Sequence, residues 1–177
     1  LNKESFKRVT LSFYKYVKLK NLTNLRDLLY AEWKSLGVLG RVYIAEEGIN
    51  AQISIPENKL EKFRKNVDKH TYFKNIPFKI AVEENISFYK LIIKVKKEIV
   101  AYGIKMNEYD INKTGTHLDA KEFNEMMENP DSIIVDMRNH YESEVGKFEN
   151  AICPDVDTSK ELLPETKKIL EKHKNDN

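Results

Sequence analysis

Residues 9–17, Val-Thr-Leu-Ser-Phe-Tyr-Lys-Tyr-Val, alternate side chains with a period of two, and a helical stripe follows directly. That switch of period, repeated along the chain, restricts the fold more than any other feature. Val9, Leu11 and Phe13 fall on one side and Thr10, Ser12 and Tyr14 on the other, so the segment predicts a half-buried strand. Leu25, Leu28, Leu29, Trp33 and Leu36 then recur at helical spacing, which predicts a helix capped by Thr23 or Asn24 and ended by Gly37. Residues 40–45 and 49–55 read as two strands turning at Gly48. Pro56-Glu57 opens a second helix with Leu60, Phe63 and Val67 inward, and Pro77 precedes a strand over 78–82. A further strand is predicted over 88–96, extended or followed by Ile99–Tyr102. The order β-α-β-β-α-β is the split-βαβ, ferredoxin-like pattern, here with one extra strand.

Periodicity is lost over residues 103–117, which read as a linker between a domain at 1–102 and a second unit at 118–177. In that unit Asp119 caps a predicted helix over 120–128, with Phe123, Met126 and Met127 as its apolar positions. Ser132–Asp136 and Ala151–Pro154 read as short strands, and Leu162-Leu163-Pro164 as the start of a last helix to about Leu170, before a frayed tail over 172–177. Alternating strand and helix predict an open α/β arrangement, of which sixty residues supply only the first half. The fold class expected is therefore α+β: a ferredoxin-like domain, then a truncated α/β unit.

Charge divides the chain at the same place. Residues 1–117 hold 22 Lys and Arg against 13 Asp and Glu, and residues 118–177 hold 8 against 15. A basic first unit suits nucleic acid, although 25 of the 30 basic residues are Lys, and composition alone speaks only to non-specific attraction. No apolar run approaches the ~20 residues of a membrane-spanning helix, so no membrane partner is expected. Leu1-Asn2-Lys3-Glu4-Ser5 lacks the apolar core of a signal peptide, which leaves the cytoplasm as the expected location. The single cysteine excludes an internal disulfide or a multi-cysteine zinc site. His70, His117, His140 and His173 show no metal-ligand spacing, so no metal is expected. Oligomeric state is left open.

Two stretches carry a resemblance. The first is Gly40-Arg41-Val42-Tyr43-Ile44-Ala45-Glu46-Glu47-Gly48-Ile49-Asn50-Ala51-Gln52-Ile53-Ser54. The second is Ile134-Val135-Asp136-Met137-Arg138-Asn139-His140-Tyr141-Glu142-Ser143-Glu144-Val145-Gly146-Lys147-Phe148-Glu149-Asn150-Ala151. The second resembles the front half of a rhodanese domain: a strand ending Asp-x-Arg, then Glu and Gly before Ala-x-x-Pro. In this order, with Ser12-Phe13-Tyr14-Lys15-Tyr16 before them, they resemble the bacterial rhodanese-domain tRNA uridine hydroxylases.

The resemblance implies formation of 5-hydroxyuridine at the wobble position of tRNA, with molecular oxygen as co-substrate and tRNA as partner. It also implies a reactive cysteine in a Cys-x-x-Gly-x-Arg loop whose backbone N–H groups stabilise the thiolate. That loop is expected beyond Asn177, by trimming of the sequence or natural truncation. Cys153, in Ala-Ile-Cys-Pro, falls about two elements early and is not proposed as the nucleophile; a small buried hydrophobe is its expected role. Half a rhodanese sheet is expected to be marginally stable alone. Two alternatives stand beside the hydroxylase: a non-catalytic tRNA-binding remnant and a rhodanese-type sulfurtransferase.

Around the implied rhodanese site, Asp136 and Arg138 read either as a site wall or as a structural ion pair. Glu144 and Gly146 read as loop-shaping, with Gly146 permitting a positive φ. His140 and Tyr141 suit base stacking or an exposed loop. In the first domain Arg41, Glu47, Gly48 and Asn50 form the most family-like cluster, with Arg41, Glu47 and Asn50 as candidates for tRNA binding. Arg41 and Asn50 lie near one another across the hairpin, either for phosphate and base contact or, for Asn50, for turn chemistry. Tyr14 and Tyr16, near Lys15 and Lys18, read as an aromatic and basic face or as sheet packing.

Overall fold

A computed structural model describes residues 6–81, 88–100, 103–104, 110, 113 and 115–174. The chain divides into two compact units, Leu1–Ile99 and Val100–Asn177.

Unit 1 contains β1 (Arg8–Tyr16), α1 (Leu22–Ser35), β2 (Leu39–Ala45), β3 (Gly48–Pro56), α2 (Leu60–Lys69), β4 (Lys79–Ile80) and β5 (Leu91–Val95). The sheet order is β4-β1-β3-β2-β5. The first four strands pair antiparallel in the ferredoxin-like arrangement, and β5 adds a parallel strand beside β2. The apolar halves of the alternating strands face α1 and α2. Leu11, Phe13, Val42, Ile44, Ile49, Ile53 and Ile55 are buried with Leu29 and Trp33 of α1 and Phe63 and Val67 of α2. Ala51 lies opposite Phe13 in the register. The Phe13 ring packs edge-on to Trp33 at 6.2 Å and stacks on Phe78 at 5.1 Å between centroids. Such pairs add about 0.5–1.5 kcal/mol each beyond area burial.

Differences from the sequence reading have local causes. Asn21, in the left-handed region at φ 50°, precedes α1, whose first backbone bond runs from Leu25 N–H to the Asn21 carbonyl; neither Thr23 nor Asn24 caps it. Leu28 is exposed, because at 100° per residue it lies roughly 95° from the mean direction of Leu25, Leu29, Trp33 and Leu36. Gly37 does end the helix, at φ +74°. The strand expected over 78–82 is only Lys79–Ile80, at the sheet edge, and Val82 lies outside the described residues. The strand expected over 88–96 starts at Leu91, where its parallel pairing with β2 begins opposite Gly40, whose N–H bonds the Lys90 carbonyl. Ile99 is buried at a bend, and residues 101–102 lie outside the described set.

Unit 2 contains α3 (Ala120–Glu128), α4 (His140–Val145) and α5 (Ser159–Leu170). Of the expected linker, only residues 103–104, 110, 113 and 115–117 are described, without helix or strand. Asp119 caps α3 as expected: its Oδ1 accepts from the Lys121 and Glu122 N–H groups, and Glu122 Oε2 accepts from Asp119 N–H at 2.7 Å. The two expected strands reduce to one parallel bridge, Val135 with Ile152. Ile152 N–H bonds the Ile134 carbonyl and Asp136 N–H bonds the Ile152 carbonyl. The ladder stops there because Pro154 has no N–H for the next rung. Helix α5 begins at Ser159, before the expected start, and Pro164 lies inside it rather than in its first turn. The residues beyond Leu170 continue as a short 3-10 turn, Glu171–His173. The truncated rhodanese-like fold is not established by these elements.

Candidate nucleic-acid interface

Among the described residues of unit 1, helices cover one face of the sheet, and the strand residues of the other face are largely polar, aromatic and cationic. Strand register aligns Tyr14, Asn50 and Tyr43 in one cross-strand row, continued by Lys94 on β5. The next row holds Ser12, Gln52 and Arg41, with Lys79 of β4 beside Ser12. Arg41 therefore pairs with Gln52, and Asn50 lies two residues further along on the same face. Tyr14 is 52% exposed, and its ring meets that of Tyr16 edge-on at 6.5 Å. Lys79 Nζ lies 5.9 Å from the Tyr14 ring centre and Lys96 Nζ 5.3 Å from that of Tyr43. The side chains of Arg41, Asn50 and Gln52 have no partner among the described residues. None of the described strand residues on this face is acidic. Such a face can stack bases and hold phosphates.

The sequence reading missed Tyr43, Gln52, Lys79, Lys94 and Lys96 as members of this face. The alternation Arg41-Val42-Tyr43-Ile44 already carries the signal for Tyr43, since period two puts it beside Arg41. Glu47 requires correction as an RNA-contact candidate. It is 5% exposed, and its Oε1 accepts the Ile99 N–H at 2.7 Å, so it braces the end of unit 1. Gly48 is needed for close approach: at φ +150°, a Cβ there would lie 2.0 Å from the Lys15 carbonyl oxygen.

In unit 2, Arg138 closes the loop that follows Asp136. Its Nε and Nη2 donate to the Asp136 carboxylate, and Nη2 also donates to the Gly146 carbonyl at 2.6 Å. The guanidinium holds the Asp136 carboxyl below its ordinary range, against the opposing effect of burial. Gly146 is extended at φ 167° with open space around it, which corrects the expectation of a positive φ; its carbonyl is the part the loop uses. The His140 ring lies between two carboxylates, Nε2 at 3.1 Å from Glu144 and Nδ1 at 3.2 Å from Asp155. Tyr141 is exposed, and its hydroxyl accepts from Asn139 Nδ2 at 2.9 Å. Both start a helix that apolar periodicity does not signal, although Asn139 followed by Glu142 marks a helix start. Cys153 is half-buried, its Sγ 3.6 Å from the Ala151 carbonyl. No group of side chains among the described residues has metal-binding geometry, and no helix there is long and apolar enough to cross a membrane.

The family model described as the UPF0176 acylphosphatase-like domain matches residues 8–99, the whole of the five-stranded sheet. The chain belongs to the UPF0176 family. Among curated relatives of this UPF0176 chain, a tRNA uridine(34) hydroxylase of Leptospira interrogans is 58% identical over 164 residues, covering 92% of this chain and 45% of that protein. One of Photorhabdus laumondii is 46% identical over 178 residues, covering 98% and 50% respectively. One of Hamiltonella defensa is 47% identical over 173 residues, covering 97% and 49%. The UPF0176 chain thus spans about half the length of the curated relatives it matches. Among solved structures, BlrP1 BLUF matches with a TM-score of 0.43 at 13% identity, over 52% of this chain and 66% of that one, a likeness too loose to carry weight.

Proposed function

We propose that this chain takes part in oxygen-dependent hydroxylation of uridine 34 in tRNA, with unit 1 holding the RNA. The observation that carries the RNA-holding part is the sheet face with Tyr14, Tyr43, Arg41 and the surrounding lysines, on which no described strand residue is acidic. Aromatic rings and cations on one open face supply the two things a nucleic acid needs, a stacking surface and phosphate neutralisation. The similarity to proteins named tRNA uridine(34) hydroxylase supports the choice of RNA and base. Unit 2 is read as the first half of a rhodanese-like domain. Its parallel bridge and the loop closed by Asp136 and Arg138 support that reading. No catalytic residue is assigned within the chain, and Cys153 is not proposed as one.

Nucleoside analysis tests the proposal. tRNA from cells with the gene should contain 5-hydroxyuridine that falls on deletion, and growth under labelled dioxygen should place the label in the hydroxyl. Loss of RNA binding together with unchanged 5-hydroxyuridine would reject the reading. Persulfide formation with thiosulfate and no effect on tRNA would favour the sulfurtransferase.

A further inference from the structure

We infer that the sheet face of unit 1 recognises unpaired RNA, taking two splayed bases on Tyr14 and Tyr43 with Asn50 between them. This rests on the RNA-holding role proposed above and adds the form of RNA and the residues that select it. Tyr14, Asn50 and Tyr43 occupy successive strands at the same level of the sheet. Neighbouring strands are about 4.8 Å apart, so the two tyrosine backbones stand roughly 10 Å from each other. A ring rising from each gives two separate platforms, with an unpartnered amide between them. That amide offers one acceptor and two donors at the height of a base edge.

Paired RNA cannot use this arrangement. In an A-form duplex the base faces are occupied by their neighbours in the stack, and only phosphates, 2′-hydroxyls and minor-groove edges remain accessible. A loop or a free strand can turn its bases out onto the rings. The cations are placed for the backbone of such a strand. The Lys79 ammonium lies over the Tyr14 ring and the Lys96 ammonium over the Tyr43 ring, and Arg41 lies one pair further along the same face. None of the described strand residues on the face is acidic, which favours the approach of phosphates.

Fluorescence anisotropy with the full chain tests this, using three labelled RNAs: an oligouridine strand, an anticodon-arm hairpin and a fully paired duplex of equal length. The strand and the hairpin should bind at least tenfold more tightly than the duplex. Tyr14→Ala and Tyr43→Ala should each weaken strand binding about tenfold and leave duplex binding unchanged, whereas Tyr43→Phe should retain it. Lys79→Ala should weaken strand and duplex alike. Each variant is first shown to keep the folded Trp33 emission. Equal affinity for duplex and strand, or Tyr14→Ala and Tyr43→Ala proteins that fold and bind the strand normally, would overturn the inference. If those variants bind normally while gene deletion abolishes 5-hydroxyuridine, the base platforms fall and the hydroxylase reading stands. If strand binding depends on both tyrosines while deletion leaves 5-hydroxyuridine unchanged, the reverse holds.

Discussion

Arg138 grips the Asp136 carboxylate through both oxygens, with Nη2 to Oδ2 at 2.6 Å and Nε to Oδ1 at 2.9 Å. The same Nη2 reaches the Gly146 carbonyl, so one guanidinium spans the whole loop. The Asp136 side chain is almost fully buried, whereas that of Arg138 is about half exposed. A carboxyl held below its unfolded value stabilises the native state above that value, and the contribution is lost as pH falls through the lowered native one. Arg138→Gln should return the Asp136 titration toward the ordinary carboxylate range and move acid unfolding of unit 2 to higher pH. Carboxyl-carbon NMR checks the first effect and far-ultraviolet circular dichroism the second. An unchanged Asp136 titration would show that the pair is not the cause.

Gly48 faces the backbone of β1 directly opposite Tyr16. A methyl group there meets a main-chain carbonyl that cannot swing away, at a φ that side chains rarely adopt. Gly48→Ala should cost about 3 kcal/mol or more of unit 1 stability. Urea denaturation provides the number, and a loss under about 1 kcal/mol would contradict the close packing of the β1 and β3 backbones.

Trp33 is the only tryptophan and is buried between Phe13 and Phe63, with its indole N–H donating to Asn66 at 3.0 Å. Its emission should therefore report unit 1 alone. Phe63→Ala should lower the stability seen by that emission by about 3–5 kcal/mol, the usual cost of an aromatic-sized cavity. Unit 2 ellipticity at the same denaturant concentration provides the internal control.

Glu47 tests the distinction between bracing and binding. Removing its carboxylate in Glu47→Ala leaves the buried Ile99 N–H without that acceptor, at a cost of about 1–3 kcal/mol. Calorimetry should show the lower melting temperature. RNA affinity measured well below that temperature should match the parent chain, and a selective loss of affinity in a fully folded variant would return Glu47 to the interface.

Much of unit 1 was legible because its two periods are clean. Leu11 and Phe13 against Ser12 and Tyr14, or Leu29 and Trp33 in the next element, commit side chains to a core or a surface before any long-range contact is known. Segment ends were less legible where they depend on partners. Leu91 begins β5 where pairing with β2 starts opposite Gly40, and Pro154 ends a ladder that Ile152 had started. Glu47 reads as a tRNA-binding candidate in its own segment, because the amide it satisfies lies 52 positions away. The cationic and aromatic face was half visible: Tyr14 and Arg41 are apparent in their own strands, but the row joining Tyr14 to Tyr43 exists only through the register of β3 between them.

The hairpin turn between β2 and β3 also has a mechanical consequence. Its Glu46 and Glu47 carbonyls hold the Leu19 and Val17 amides just after β1, and the Glu47 carboxylate holds Ile99 at the exit of unit 1. Tension applied from the downstream side would arrive first at that corner. It would load the Glu47–Ile99 contact before reaching the sheet, so the exit segment would peel away while the five strands still held.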